Sequence, residues 1–101
     1  MNAMFLEASL FNQSIDEWDT SSVLDMKEMF RSASSFNRPL GSWNTSLVRF
    51  TARMFGDAGM FDHPVGAWDV SSVVDMFGMF ENAIVFNQEL RNWVSKTSFV
   101  C

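Results

Sequence analysis

The sequence contains no tyrosine, one cysteine, one histidine and two prolines. The single cysteine, Cys101, excludes an internal disulfide framework and a metal cluster held by several thiolates. Seven basic residues against twelve acidic ones give a net charge of −5, so nucleic acid is not expected as a partner. No apolar run is long enough to cross a bilayer, and the N-terminus lacks the pattern of a signal peptide.

Phenylalanine and tryptophan are abundant instead, and they recur at a fixed spacing. The 25-residue spacing is kept by Phe11, Phe36, Phe61 and Phe86 and by Trp18, Trp43, Trp68 and Trp93. Such a period is typical of solenoids and repeat arrays, whose core is made by stacking neighbouring copies. We therefore predict a single array over residues 1–101, with full copies at 11–35, 36–60 and 61–85 and partial copies at 1–10 and 86–101. Neither end resembles a polar capping copy, so we expect a longer array or ends covered by other chains.

Each copy combines two hydrophobic patterns. In the first half, a turn with proline and glycine leads into an alternation such as Trp43-Asn44-Thr45, which predicts a very short strand. In the second half, apolar residues recur at helical spacing and predict one buried helix face, as at Met26, Met29, Phe30 and Ala33. Ser22 with Asp25 fits a capping box at the start of that helix, as does Ser72 with Asp75. The predicted fold class is therefore α/β, with one short strand and one short helix per 25-residue repeat.

A polar residue follows each phenylalanine of the 25-residue series. These residues are Asn12, Asn37, Asp62 and Asn87. Their side chains can bond nearby backbone and tolerate turn geometry. If the copies stack, these residues are expected to form a ladder that satisfies buried loop amides, beside an internal spine of phenylalanine rings.

The copies follow the pattern Phe-Asn-x-x-(Leu/Ile/Val)-x-x-Trp-Asp-x-Ser-Ser-Val-x-x-Met-x-x-Met-Phe-x-x-Ala. This unit resembles the BspA-like leucine-rich repeats, and more narrowly the Trp- and Met-rich repeat of bacterial, mycoplasma and protist surface proteins. The leucine-rich framework L-x-x-L-x-L is matched by Ile15-x-x-Trp18-x-Thr20, Leu40-x-x-Trp43-x-Thr45 and Val65-x-x-Trp68-x-Val70. The pattern breaks after Trp93, where Val94-Ser95-Lys96 aligns only with a one-residue deletion.

The resemblance implies a curved, leucine-rich-repeat-like solenoid, open at both ends, with the strands on the concave side and the helices opposite. It also implies adhesion or protein binding at a cell surface rather than catalysis.

No set of residues predicts catalysis or a cofactor site. His63 precedes Pro64 and has no nucleophile or paired acid copied beside it, so we interpret it as a turn residue rather than a general base. Asp19, Asn44 and Asp69 would form an oxygen-lined row that could bind Ca²⁺. The Gly-rich nonapeptide of calcium β-rolls is absent, so these side chains are better interpreted as partners of strand or turn backbone. We predict a chain that is not an enzyme and has no cofactor, metal or small-molecule substrate.

Two surfaces are candidates for binding other protein chains. The concave face would comprise Glu17, Asp19, Ser21, Asn44, Ser46, Asp69 and Ser71, whose acidic character favours a basic partner. The convex side would carry an apolar patch of Leu47, Phe50, Val74 and Phe77, although packing between neighbouring helices could also bury these residues. Two functions fit: a protein-protein interaction module, or a structural scaffold subunit inside a larger assembly. A membrane surface is the less favoured partner of the patch.

Overall fold

The computed structural model describes residues 2–88, 90 and 93. Within them the backbone has no α-helix, and its β structure is limited to two isolated parallel bridges, Asp25 to Phe50 and Phe50 to Asp75. The remainder consists of turns and irregular segments, folded into a compact body of 32 × 27 × 19 Å. The predicted solenoid with one short strand and one short helix per repeat is therefore wrong.

The segment 26–33, predicted as a helix, is a series of tight turns. Its alternate amides, at residues 26, 28, 30 and 32, donate to carbonyls of the next copy, at Phe50, Ala52, Met54 and Gly56. The intervening amides, at residues 29, 31 and 33, donate to the carbonyl three residues back. An α-helix needs each amide to bond four residues back within its own segment. Hydrogen bonding to the neighbouring copy replaces that pattern.

Left-handed backbone recurs at two positions of every copy. Glu28 has φ of 58° and Ser32 has φ of 60°. The same conformation is found at the equivalent positions of the other copies, at Ala3, Glu7, Arg53, Asp57, Gly78 and Asn82. A residue with positive φ ends a right-handed helix but suits the third position of a tight turn. The turns are therefore a property of the repeated unit and not of one copy.

Copies of the unit lie against one another in sequence order, and we call each copy a layer. The first layer is 2–10, the second 11–35, the third 36–60 and the fourth 61–85, and the fifth begins at residue 86. The methionine, phenylalanine and alanine positions predicted to face inward are buried in the second layer, at Met26, Met29, Phe30 and Ala33. That part of the helical pattern was right, because the turns place the same side chains inside as a helix would.

Aromatic rings of successive layers stack on one another. The phenylalanine spine predicted from the sequence is confirmed, since Phe36 lies 5.6 Å from Phe11 and 5.9 Å from Phe61 between ring centroids. A second series runs beside it, with Phe30 and Phe55 stacked at 5.5 Å. The layers thus share one continuous aromatic core.

The segment Trp43-Asn44-Thr45 keeps the predicted alternation without forming a strand. Trp43 and Thr45 are buried and Asn44 is exposed. The Trp43 amide donates back to the Leu40 carbonyl, which makes a turn, and the Thr45 hydroxyl donates to the Asp69 carbonyl at 3.1 Å. Buried hydroxyls and turns therefore replace the expected strand ladder.

The predicted capping boxes are also wrong, since no helix begins there. The Asp25 carboxylate accepts a hydrogen bond from the Lys27 amide at 2.9 Å, and Asp75 accepts one from the Phe77 amide at 3.2 Å. Each acid therefore stabilises a turn, because its carboxylate accepts a hydrogen bond from the amide two residues later. The expected break at residues 94–96 lies outside the described residues, and the assignment of 1–101 as one array stays a prediction.

Candidate interaction surfaces

The apolar residues predicted for the convex side lie on two neighbouring segments of the third and fourth layers. Leu47, Val74 and Phe77 have exposed fractions of 50%, 61% and 52%, whereas Phe50 is half-buried. Hydrogen bonds from the Val74 amide to the Arg49 carbonyl and from the Arg53 amide to the Phe77 carbonyl hold the segments together. We call Leu47, Phe50, Val74 and Phe77 the side patch.

Charged residues separate the members of the side patch. Phe50 is bridged to Asp25 on one side and Asp75 on the other, so its immediate neighbours in the adjacent layers are acidic. No aromatic ring contact joins Phe50 to Phe77 in the part of the chain that the structure describes. The side patch therefore has acidic neighbours at Phe50, and its role as an apolar binding surface stays a prediction.

Two arginines lie over the phenylalanine rings of the side patch, and the sequence analysis assigned neither of them to it. The Arg49 guanidinium carbon lies 5.7 Å from the centre of the Phe50 ring, and that of Arg53 lies 4.9 Å from the Phe77 ring. Arginine over an aromatic face is attracted by the negative face of the ring. One feature of the sequence could have indicated them, because only the middle copy has arginine at both positions. The neighbouring copies have Leu24 and Val74 in place of Arg49, and Glu28 and Gly78 in place of Arg53.

The residues predicted for the concave face repeat one local arrangement in three layers. The Asp19 carboxylate accepts hydrogen bonds from the amide and hydroxyl of Ser21, at 3.0 and 2.6 Å. Asn44 does the same with Ser46, and Asp69 with Ser71. These side chains satisfy turn backbone, which was the preferred interpretation.

The same hydrogen bonds favour the negatively charged form of the two aspartates in this row. Bonds from the Ser21 hydroxyl and then its amide lower the pKa of Asp19, and the equivalent bonds from Ser71 lower the pKa of Asp69. Both carboxylates are exposed, and so is Glu17 nearby in the chain. The row presents negative charge to solvent, and a basic partner for it stays a prediction.

The polar ladder predicted after the phenylalanines is confirmed. The Asn12 side-chain oxygen accepts from the Asn37 amide at 2.8 Å, that of Asn37 accepts from the Asp62 amide at 2.9 Å, and Asp62 accepts from the Asn87 amide at 3.0 Å. The amide of Asn87, and then the Gln88 side chain, lower the pKa of Asp62. Each side chain thus satisfies the backbone of the following layer.

His63 takes part in the same stacking. Its Nε2 lies 3.1 Å from the Asn37 carbonyl, and its ring centroid is 6.3 Å from that of Phe61. Over residues 2–88, 90 and 93, no three His, Cys, Asp or Glu side chains are grouped so as to hold a metal ion. In the same residues no helix is long and apolar enough to span a membrane. The expectation that the chain is not an enzyme stays a prediction.

Stacked layers with an aromatic core, a polar ladder and an aromatic-arginine surface define a protein built from successive copies of one sequence unit. Residues 1–94 match the family described as "Mycoplasma protein of unknown function, DUF285", and the chain belongs to that family. No curated protein and no solved structure matches the chain.

Proposed function

We propose that this protein is a non-catalytic binding module that docks another protein through the side patch and its two arginines. The observation that carries the proposal is the pair of arginine-on-phenylalanine contacts, Arg49 on Phe50 and Arg53 on Phe77. Aromatic residues and arginine are enriched at protein interfaces and in their energetic hot spots. The partner surface that fits is apolar, with carboxylates placed to meet the guanidinium groups.

The resemblance of the unit to BspA-like repeats supports the same proposal. That family is associated with protein binding and adhesion at cell surfaces, so a cell-surface setting is part of what we propose. The resemblance carries no expectation of catalysis, and the proposal needs none.

The experiment compares the wild-type chain with the double variant Phe50→Ser, Phe77→Lys. Partners are first captured on each chain, and the affinity of the recovered partner is then measured by calorimetry. We expect at least a tenfold loss of affinity, about 1.4 kcal/mol or more. Met60→Ser is the matched control, because Met60 is a large exposed side chain outside the side patch. Unchanged affinity in a double variant that keeps its circular dichroism spectrum would refute the proposal.

A structural subunit of a larger assembly is the second candidate function. It is favoured by the exposure of Met4 in the first layer and Trp18 in the second, at 54% and 40%, although the equivalent residue one layer on is buried in each case, Met29 for Met4 and Trp43 for Trp18. A chain that needs neighbours on its end layers should aggregate or self-associate when purified alone. A monodisperse monomer in size-exclusion chromatography would favour the independent module instead.

A further inference from the structure

Two exposed residues within the side patch carry opposite charges that do not neutralise each other. The Arg49 guanidinium lies over the Phe50 ring and makes no hydrogen bond or ion pair with any of the described residues. Arg53, in contrast, already has an acidic partner at 3.8 Å. The Asp75 carboxylate accepts one hydrogen bond, from the Phe77 amide at 3.2 Å. One positive and one negative charge of the same surface are therefore available to a partner.

The two charges lie on one diagonal of a small quadrilateral. Phe50 is bridged to Asp75 in the next layer, so Arg49 lies beside Val74, whose amide donates to the Arg49 carbonyl at 2.8 Å. Arg49 and Asp75 thus occupy two opposite corners, and the apolar residues Phe50 and Val74 occupy the other two. The charges do not pair within the chain, because the Arg49 side chain covers the Phe50 ring and a turn amide holds the Asp75 carboxylate.

This surface lies on the side of the stack and is exposed within it. Leu47 and Arg49 belong to the third layer, which has a described layer on each side, and both are exposed. Leu24 occupies the position of Arg49 in the second layer and is 53% exposed. Side chains at these positions therefore point away from the neighbouring layers and toward any chain that docks there.

We propose that the side patch docks on the side patch of a second copy of this chain, about a two-fold axis along the diagonal from Phe50 to Val74. The inference rests on the proposed function and names its partner. In a symmetric interface each contact between different residues occurs twice, so Arg49 of each copy meets Asp75 of the other. Phe50 and Val74 lie along the axis and each meets its own equivalent in the second copy.

Charge complementarity favours a second copy over an unrelated partner. The side patch needs an apolar surface with a carboxylate to meet Arg49, and the side patch itself presents one, with Asp75 between Val74 and Phe77. A uniformly acidic partner would place a carboxylate against Asp75, and a basic one would place a cation against Arg49, and like charges in contact are costly. The second copy satisfies both groups at once.

The first test measures mass by sedimentation velocity over a concentration series. A two-fold interface closes at two copies, so the wild-type mass should rise from 11.5 kDa toward twice that value and then stop. The net charge of −5 on each chain opposes association, so the dimer should dissociate on dilution. Arg49→Glu and Asp75→Arg should each weaken dimerisation at least tenfold, because each variant alone brings like charges together twice.

The second test mixes these two variants in equal amounts. In the mixed pair, the glutamate introduced in one chain meets the arginine introduced in the other, while the unchanged Arg49 and Asp75 meet as in the wild type. We therefore expect a mixed dimer with an affinity close to that of the wild type. Variants that stay monomeric when mixed overturn the proposal, and so does an Arg49→Glu chain that dimerises normally by itself.

Arg38→Glu is the matched control for Arg49→Glu. Arg38 is also an exposed arginine of the third layer, it lies outside the side patch, and its reversal changes the net charge equally. This variant should dimerise like the wild type. Val74→Arg is a second disruptive variant, in case Asp75→Arg disturbs its own turn. Val74 is 61% exposed and its apolar side chain makes no hydrogen bond, so the substitution should keep the fold and place two like charges on the axis.

The outcomes separate this inference from the proposed function. A wild-type chain that stays monomeric at every concentration overturns the second copy as the partner. If Phe50→Ser, Phe77→Lys still loses a captured protein in that case, the side patch remains a docking surface for a different partner. A wild-type dimer that this double variant leaves unchanged would place the dimer contact elsewhere and also overturn the inference.

Discussion

The indole nitrogen of Trp68 donates a hydrogen bond of 2.9 Å to the main-chain carbonyl of Leu40, in the preceding layer. Trp43 makes the same bond to Ile15, and the two indole rings stack at 6.3 Å. Each tryptophan thus joins two layers in two ways, through its ring and through its nitrogen. Buried donors of this kind stabilise a fold mainly because leaving their partner unsatisfied is costly.

Replacing Trp68 with alanine should therefore strongly destabilise the protein. We expect the free energy of unfolding to fall by about 3–5 kcal/mol, measured by urea denaturation. Trp18→Ala is the control. Because Trp18 is partly exposed, its replacement should lower the free energy of unfolding clearly less. A loss under about 1 kcal/mol for Trp68→Ala would contradict the burial described above.

Thr51→Val should stabilise the protein. Thr51 takes the place of Met26 and Met76 in the other layers, and its buried hydroxyl has no hydrogen-bond partner. Removing this hydroxyl should raise the free energy of unfolding by about 1 kcal/mol. Thr45→Val is the matched control and should lower it by a similar amount, since the Thr45 hydroxyl donates to the Asp69 carbonyl. Equal effects of the two substitutions would count against this account of Thr51.

Gly78→Ala should destabilise the protein by about 1 kcal/mol, because Gly78 has φ of 62° and an L-residue is strained there. The new Cβ would also lie 2.9 Å from the Glu81 carboxylate, which would have to move. Gly41→Ala is the control, since its Cβ would meet only the Pro64 carbonyl at 3.8 Å. We expect this control to be neutral or stabilising in thermal unfolding, and the reverse order would contradict the assignment.

Asp62→Asn should reduce the sensitivity of the protein to acid. Hydrogen bonds from Asn87 and Gln88 lower the pKa of Asp62 below its ordinary value of 3.8. A group with a lowered folded-state pKa stabilises the protein above its ordinary pKa, and this contribution is lost as the pH falls through the folded value. Urea midpoints measured from pH 7 downward should therefore fall less below about pH 4 in the variant. An acid sensitivity in Asp62→Asn equal to that of the wild type would contradict this role of Asp62.

Much of the core could be predicted from the sequence, because the 25-residue spacing fixes which side chains meet. Phe11 on Phe36 and Asn12 on the Asn37 amide both follow from stacking copies in register. The helix could not be predicted correctly, because spacings of three and four residues place Met26, Met29 and Phe30 inside in a helix and in consecutive turns alike. Gly78, near the middle of one predicted helix, was the clearest sequence hint against it.

The surfaces were less predictable for a physical reason. The exposure of Phe77 follows from the local alternation, but the position of Arg53 over its ring depends on which residues of two layers lie side by side. The sequence indicated which residues of neighbouring layers lie side by side only for the buried positions. The direction of the hydrogen bonds between layers could not be predicted from the sequence at all.

The hydrogen bonds between layers have an electrostatic consequence. In the turns of 26–33 and their copies, the amides that bond to another layer donate to the following layer, as from Ala3 to Lys27 and from Glu28 to Ala52, whereas the Arg49 and Val74 amides donate to the preceding layer. The peptide dipoles of the turns therefore add from layer to layer, as they do along the axis of an α-helix, although the described residues contain no α-helix. Each layer therefore polarises the hydrogen bonds of the next, so a substitution that breaks one bond between layers should also weaken the equivalent bonds on either side.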